Sequence, residues 1–206
     1  MQTLYNFIIK PIGERYNNVN KVGDSELIVN TEIFNHQYIN REAKVLYTPK
    51  LLKTPIKVAD TVLVHHNVFR RWHNMHGEEK NSRGYLGDNM YSVNADQVYA
   101  YKQDNNWKSL DGYCFVKPIK SLSNLSVDQE EPLIGIMKYT DDKLIMIEEG
   151  DLVGFTPNSE FEFIINGERL YRVLTSNISI KYEYQGQEEE YNPSWLQSGG
   201  RVNKSS

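Results

Sequence analysis

Short runs of β-branched and aromatic residues, separated by turn residues, fill this chain, and no stretch keeps a helical period. Tyr5 to Ile12 reads as a strand ended by Pro11. Ala43 to Thr48 and Lys57 to His66 read as two more, with a turn carrying Pro49 and Pro55 between them. Met90 to Tyr101 returns to strand alternation, and Asp104-Asn105-Asn106 marks a turn and a candidate domain junction. Further on, Thr156-Pro157-Asn158-Ser159 marks a turn and Asn166-Gly167 a hairpin. Two stretches break the plan. Gly13 to Asn40 is polar except for Leu27-Ile28-Val29, and Arg71 to Asn89 is rich in Gly, Asn and charge; both read as loops. Many short strands with turns between them predict an all-β protein, a small barrel or sandwich.

The strand pattern occurs twice. Phe7-Ile8-Ile9-Lys10-Pro11-Ile12 is answered by Cys114-Phe115-Val116-Lys117-Pro118-Ile119, an offset of 107. Ala43-Lys44-Val45-Leu46 is matched to Ile134-Gly135-Ile136-Met137, and Val58-Ala59-Asp60-Thr61-Val62 to Glu149-Gly150-Asp151-Leu152-Val153, both at 91. Met90-Tyr91-Ser92-Val93 followed by Val98 answers to Leu170-Tyr171-Arg172-Val173 followed by Ile178, at 80. Four blocks in one order are the mark of a duplicated domain. On this alignment copy one holds 16 extra residues between its first two blocks and 11 between its last two. Long loops kept inside compact domains are commonly functional, so the excess locates two places of interest. The expected domains are 1–104, with loops 13–42 and 71–89, then 110–184 with shorter loops, then a flexible polar tail, 185–206.

Bulk properties narrow the field. At 206 residues the chain has room for two small domains, each marginal enough alone for association to be expected. A net charge of −4 argues against a nucleic-acid partner. No apolar run approaches the ~20 residues that span a bilayer, and the first residues lack a signal-peptide pattern. A single cysteine, Cys114, excludes an internal disulfide, fits a reducing cytoplasm and reads as a buried, inert thiol.

In these blocks the chain resembles the GroES-type co-chaperonin family. The family opens on a hydrophobic strand ending Lys-Pro or similar. A loop with an Ile-Val-Leu type triplet follows, then a strand and a Val-Gly-Asp signature, here Val58-Ala59-Asp60 and Glu149-Gly150-Asp151. The resemblance covers roughly residues 5–184, and the tandem arrangement is similar to double-domain co-chaperonins, including those of large bacteriophages. It implies two GroES-like small β-barrels and a non-enzymatic cap on a GroEL-type chaperonin. It further implies a ring homo-oligomer, an unfolded client such as a capsid protein, and a (host) cytoplasmic setting. This chain would need no cofactor of its own, because ATP is bound by the chaperonin. Leu27, Ile28 and Val29 take the place of the family's docking triplet. In copy two only Leu125 and Val127, split by Ser126, stand at the corresponding place. The turns at 49–56 and 140–147 are short for the family's roof hairpin, which implies a more open cap.

Other constellations carry less. His65 and His66, adjacent on an expected strand, would face opposite ways. With His73 and His76 they form a weak metal candidate, so no metal site is expected. Arg70-Arg71-Trp72 reads as an interface anchor and a secondary contact, rather than a base-stacking site. Glu188-Glu189-Glu190 is a solvated run, and no nucleophile–base–acid set can be placed, so no catalytic residue is expected. The alternative is a virion structural or decoration protein built on the same barrels. A weaker one, an alcohol dehydrogenase-type enzyme, lacks its nucleotide-binding βαβ half.

Overall fold

The computed structural model describes residues 2–16, 19–22, 25–28, 41–121 and 130–183. The chain divides into two compact units, Met1–Lys108 and Ser109–Ser206. The first holds β1 (Phe7–Pro11), β2 (Val19–Val22), β3 (Ser25–Ile28), β4 (Glu42–Tyr47), β5 (Thr61–Val64) and β6 (Arg71–His73). It continues with β7 (Glu79–Asn81), β8 (Tyr85–Gly87), β9 (Met90–Val93), β10 (Val98–Gln103) and all but the last residue of β11 (Asn106–Ser109). The second holds β12 (Tyr113–Lys120), β13 (Glu130–Tyr139), β14 (Leu152–Phe155), β15 (Phe161–Ile165), β16 (Glu168–Leu174) and β17 (Ile178–Tyr182). The protein is all-β: the helical elements among the described residues are three-residue 3-10 turns such as Ala95–Gln97 and Thr175–Asn177.

The two main sheets repeat one topology. The first runs β11-β10-β5-β4-β1-β9-β8 and the second, read backwards, β17-β14-β13-β12-β16-β15. With β11 set aside, the two orders are the same strand for strand. Irregularities recur as well. A register break falls between Ile8 and Ile9 against β4, and between Phe115 and Val116 against β13. Another falls where β5 meets β10, and again where β14 meets β17.

Pairing corrects the alignment at one place. Ile9 faces Val45 across β1–β4, and its counterpart Val116 faces Met137 across β12–β13. Val45 therefore corresponds to Met137, not to Ile136, and Ala43 to Gly135. The offset there is 92, so the first insertion is 15 residues, not 16. One further residue of copy one falls in the turn before Lys57. A slip of one place turns every side chain of a strand to the other face. With the correction the cores coincide. Phe7, Ile9, Val45, Val62, Val64 and Val93 are buried in the first unit. Their counterparts Cys114, Val116, Met137, Val153, Phe155 and Val173 form the second unit's core cluster. Each buried aliphatic contributes ~1.5–3 kcal/mol, so these inward rows dominate the stability of each sheet. Within that core, burial pushes the Cys114 thiol up to about 12, which keeps it protonated and inert.

The aspartate of the recurring turn motif has a visible task. Asp60 accepts the Lys57 amide on Oδ2 at 2.8 Å, and Asp151 accepts that of Glu148 at 2.7 Å. The residue before each aspartate turns left-handed and donates its amide back to the sheet: Ala59 (φ 74) to Val45, and Gly150 (φ 96) to Met137. Glycine takes that conformation freely; alanine does so at a cost of about 1–2 kcal/mol.

Both expected loops contain hairpins. In 13–42, β2 pairs with β3, Val19 opposite Ile28, as a sheet of two strands. In 71–89, β6 pairs with β7, Arg71 opposite Asn81, and β8 joins β9 at the edge of the main sheet. Strands β6 and β7 are largely exposed on both faces, so no apolar alternation announces them. Their hairpin, Arg71–Asn81, matches the second insertion in length. Asp104 and Asn105, both left-handed, form the two-residue turn of a β10–β11 hairpin, and the division between units falls later, after Lys108. Asn166-Gly167 turns β15 into β16, Ile165 facing Glu168, as expected.

Candidate functional site

The two insertions of copy one meet. The first leaves β1 at Ile12, whose amide donates to the Glu42 carbonyl at 3.0 Å, so the insertion starts and returns at one point of the sheet. Arg15 then reaches across to the second insertion. Its Nε and Nη2 donate to the Phe69 carbonyl at 3.2 and 2.9 Å, and Nη1 lies 3.6 Å from Glu79. One residue on, the buried Tyr16 accepts the Arg71 amide on its hydroxyl at 2.8 Å. The Arg71 guanidinium sits 4.8 Å from the Tyr16 ring centre and 3.5 Å from Glu79. Glu79 thus bridges an arginine from each insertion. These ion pairs are partly exposed and worth ~0–1 kcal/mol each. The forked bond to a backbone carbonyl and the buried tyrosine carry more of the joint.

The joint rests on the core. Arg15 also lies over the ring of fully buried Tyr91, 5.6 Å from its centre, and Phe69 packs edge-on to Tyr91 at 4.9 Å. Burial raises the Tyr91 phenol above its ordinary value. In copy two the counterpart, Tyr171, also carries an arginine at 4.8 Å, but that residue is Arg169 of its own hairpin. Arg169 donates to Glu162 at 2.9 Å and to Glu130 at 2.7 Å, and Tyr171 donates to Glu130 at 3.0 Å.

Strand geometry divides Arg70-Arg71-Trp72. On β6 alternation turns Arg71 toward Tyr16 and Trp72 the other way, where Trp72 and Arg70, just before the strand, line a cleft of about 500 Å³. Arg83 lines it as well. Of the docking triplet, Leu27 and Ile28 lie on β3, opposite Asn20 and Val19, outside the seven-stranded sheet. Val29 lies outside the described residues, as do Leu125, Val127, Glu188-Glu189-Glu190 and the tail from 184. Arg15, Tyr16, Glu79 and Arg83 were not singled out from sequence. In polar stretches they look like surface residues, and only the meeting of the insertions gives them a task.

The histidines fall differently from expectation. β5 ends at Val64, so the opposite-face argument does not apply, and His65 and His66 stack with ring centres 4.1 Å apart. His65 accepts the Asn67 amide on Nδ1 at 3.0 Å. His73 is on β6 and His76 in the turn after it. Among the described residues no group of three or more His, Cys, Asp or Glu is placed to hold a metal.

No protein-family model matches the chain, and no characterised protein matches it. Among the described residues no helix is long and apolar enough to cross a membrane.

Proposed function

We propose that the protein is a co-chaperonin: two GroES-like barrels in tandem that close a GroEL-type chaperonin as a ring while the chaperonin hydrolyses ATP around a client. One observation carries the reading. The segment with Leu27 and Ile28 is a hairpin separate from the main sheet, returning to a single point on it, with its stem clamped by Arg15 and Tyr16. Anchoring at Arg15 and Tyr16 fixes where this segment leaves the sheet. Burial of three such side chains in a groove offers ~1.5–3 kcal/mol each, less the cost of ordering the segment, so one contact is weak and releasable. A ring presenting several converts weak contacts into avid capping. Copy two, without this insertion, acts as scaffold. The setting that goes with this reading is a cytoplasm, that of the host where a phage encodes the chain.

The test is sedimentation velocity of the full chain mixed with a GroEL-type chaperonin, with and without ADP. Co-sedimentation that requires nucleotide is the expected result. Absence of any complex in either condition sinks the proposal.

A further inference from the structure

The place in copy two that answers to the cleft beside the joint is filled, as the registers show. Ser92 faces Ile8 as Arg172 faces Phe115, so these two are equivalent. Across the next ladder the Ser92 amide donates to Gly84 at 2.7 Å, where Arg172 faces Phe161. Asn6 stands where copy two has Tyr113, at the offset of 107. In copy two the Arg172 guanidinium lies between two rings, 4.4 Å from the centre of Phe161 and 5.3 Å from that of Tyr113, and the residue is buried. Copy one replaces this stack with Asn6, Ser92 and Gly84. A β-carbon at Gly84 would come within 2.3 Å of the Ser92 carbonyl oxygen, so that position is confined to glycine. Small residues therefore hollow out in copy one what copy two plugs with a flat cation between rings.

The second insertion and the residues flanking it then line the hollow. Arg70, Arg83 and Trp72, a residue 45% exposed, line it beside Asn67, Asn94 and Gln97. Neither Arg70 nor Arg83 forms an ion pair among the described residues, and no carboxylate lines the cleft, although the chain is acidic overall. Two guanidiniums without an ion pair among the described residues call for an anion they can grip in bidentate fashion, and an exposed tryptophan beside them calls for a flat ring. The volume, about 500 Å³, is that of a small-molecule site. We infer that this cleft binds a nucleoside phosphate, its base stacked on Trp72 and its phosphate held by Arg70 and Arg83. The inference concerns this chain alone and needs no chaperonin.

Isothermal titration calorimetry of the full chain with ADP, ribose 5-phosphate and inorganic phosphate tests it. ADP is expected to bind more tightly than either fragment. Arg70→Gln with Arg83→Gln should weaken ADP on the order of tenfold or more, since each guanidinium contributes a charge-assisted bond. Both residues are exposed and form no ion pair among the described residues, so thermal unfolding should not move. Trp72→Ala should weaken ADP by roughly tenfold and leave phosphate unchanged. Ser92→Arg, which brings in copy two's plug, should abolish binding. No heat with any probe, or ADP affinity unchanged by the paired arginine change, overturns the site. Phosphate binding as tightly as ADP overturns the assignment to a nucleoside phosphate.

Discussion

Copy one and copy two stand on the same sheet and spend their equivalent tyrosines differently. Tyr171 is locked within its own unit's hairpin by Arg169, Glu130 and Glu162. Tyr91 instead lies under Arg15, an arginine of the first insertion. The same exchange is seen next door, where Arg172 fills the space that Ser92 and Gly84 leave open. In copy two, polar and cationic side chains turn inward to complete the structure. In copy one the corresponding places are given to inserted segments and to an open cleft. Equivalent positions thus carry attachments in one unit and internal packing in the other.

The comparison can be broken at several points, the largest first. If Val45 and Met137 are true equivalents, Met137→Ala should cost about 2–5 kcal/mol and the neighbouring Ile136→Ala far less. Native-state hydrogen exchange of the second sheet's amides reads this. A larger cost at Ile136 would restore the uncorrected register. Arg169→Ala leaves two carboxylates and a phenol without their cation, and should cost roughly 2–3 kcal/mol in the second unit. Arg15→Ala should cost only about 1–2 kcal/mol and should speed exchange selectively around Phe69 to Asn81. Equal, global effects of the two arginine changes would erase the distinction drawn between them. The smallest effect is a gain: Ala59→Gly, copying Gly150, should stabilise the first unit by about 0.5–1 kcal/mol, relief of the left-handed alanine being partly offset by a more mobile unfolded chain.

Much of the scaffold was legible in the sequence because inward rows of apolar residues recur in order, and because Asn166-Gly167 and the paired aspartates mark turns chemically. The misplaced register had a physical cause. Ile134-Gly135-Ile136-Met137 is apolar at every position, so a period of two cannot say which face is inward, and only the pairing of Val116 with Met137 decides. The β6–β7 hairpin was hidden because both of its faces are mostly polar and exposed. Arg71 and Trp72 could not be told apart while their stretch read as a loop, since only a strand sends neighbours opposite ways. The site itself was half visible. The insertions stood out as excess length, but that Arg15 and Tyr16 join them depends on tertiary contacts between residues more than fifty positions apart.

Division of labour between the copies, with copy one alone docking the chaperonin, is tested most directly by a pair of triplet changes. One variant carries Leu27→Ser, Ile28→Ser and Val29→Ser, the other Leu125→Ser and Val127→Ser, and each is titrated against a GroEL-type chaperonin in ADP by sedimentation. The account predicts that the first loses the complex and the second keeps it. Loss in the second with retention in the first would contradict it.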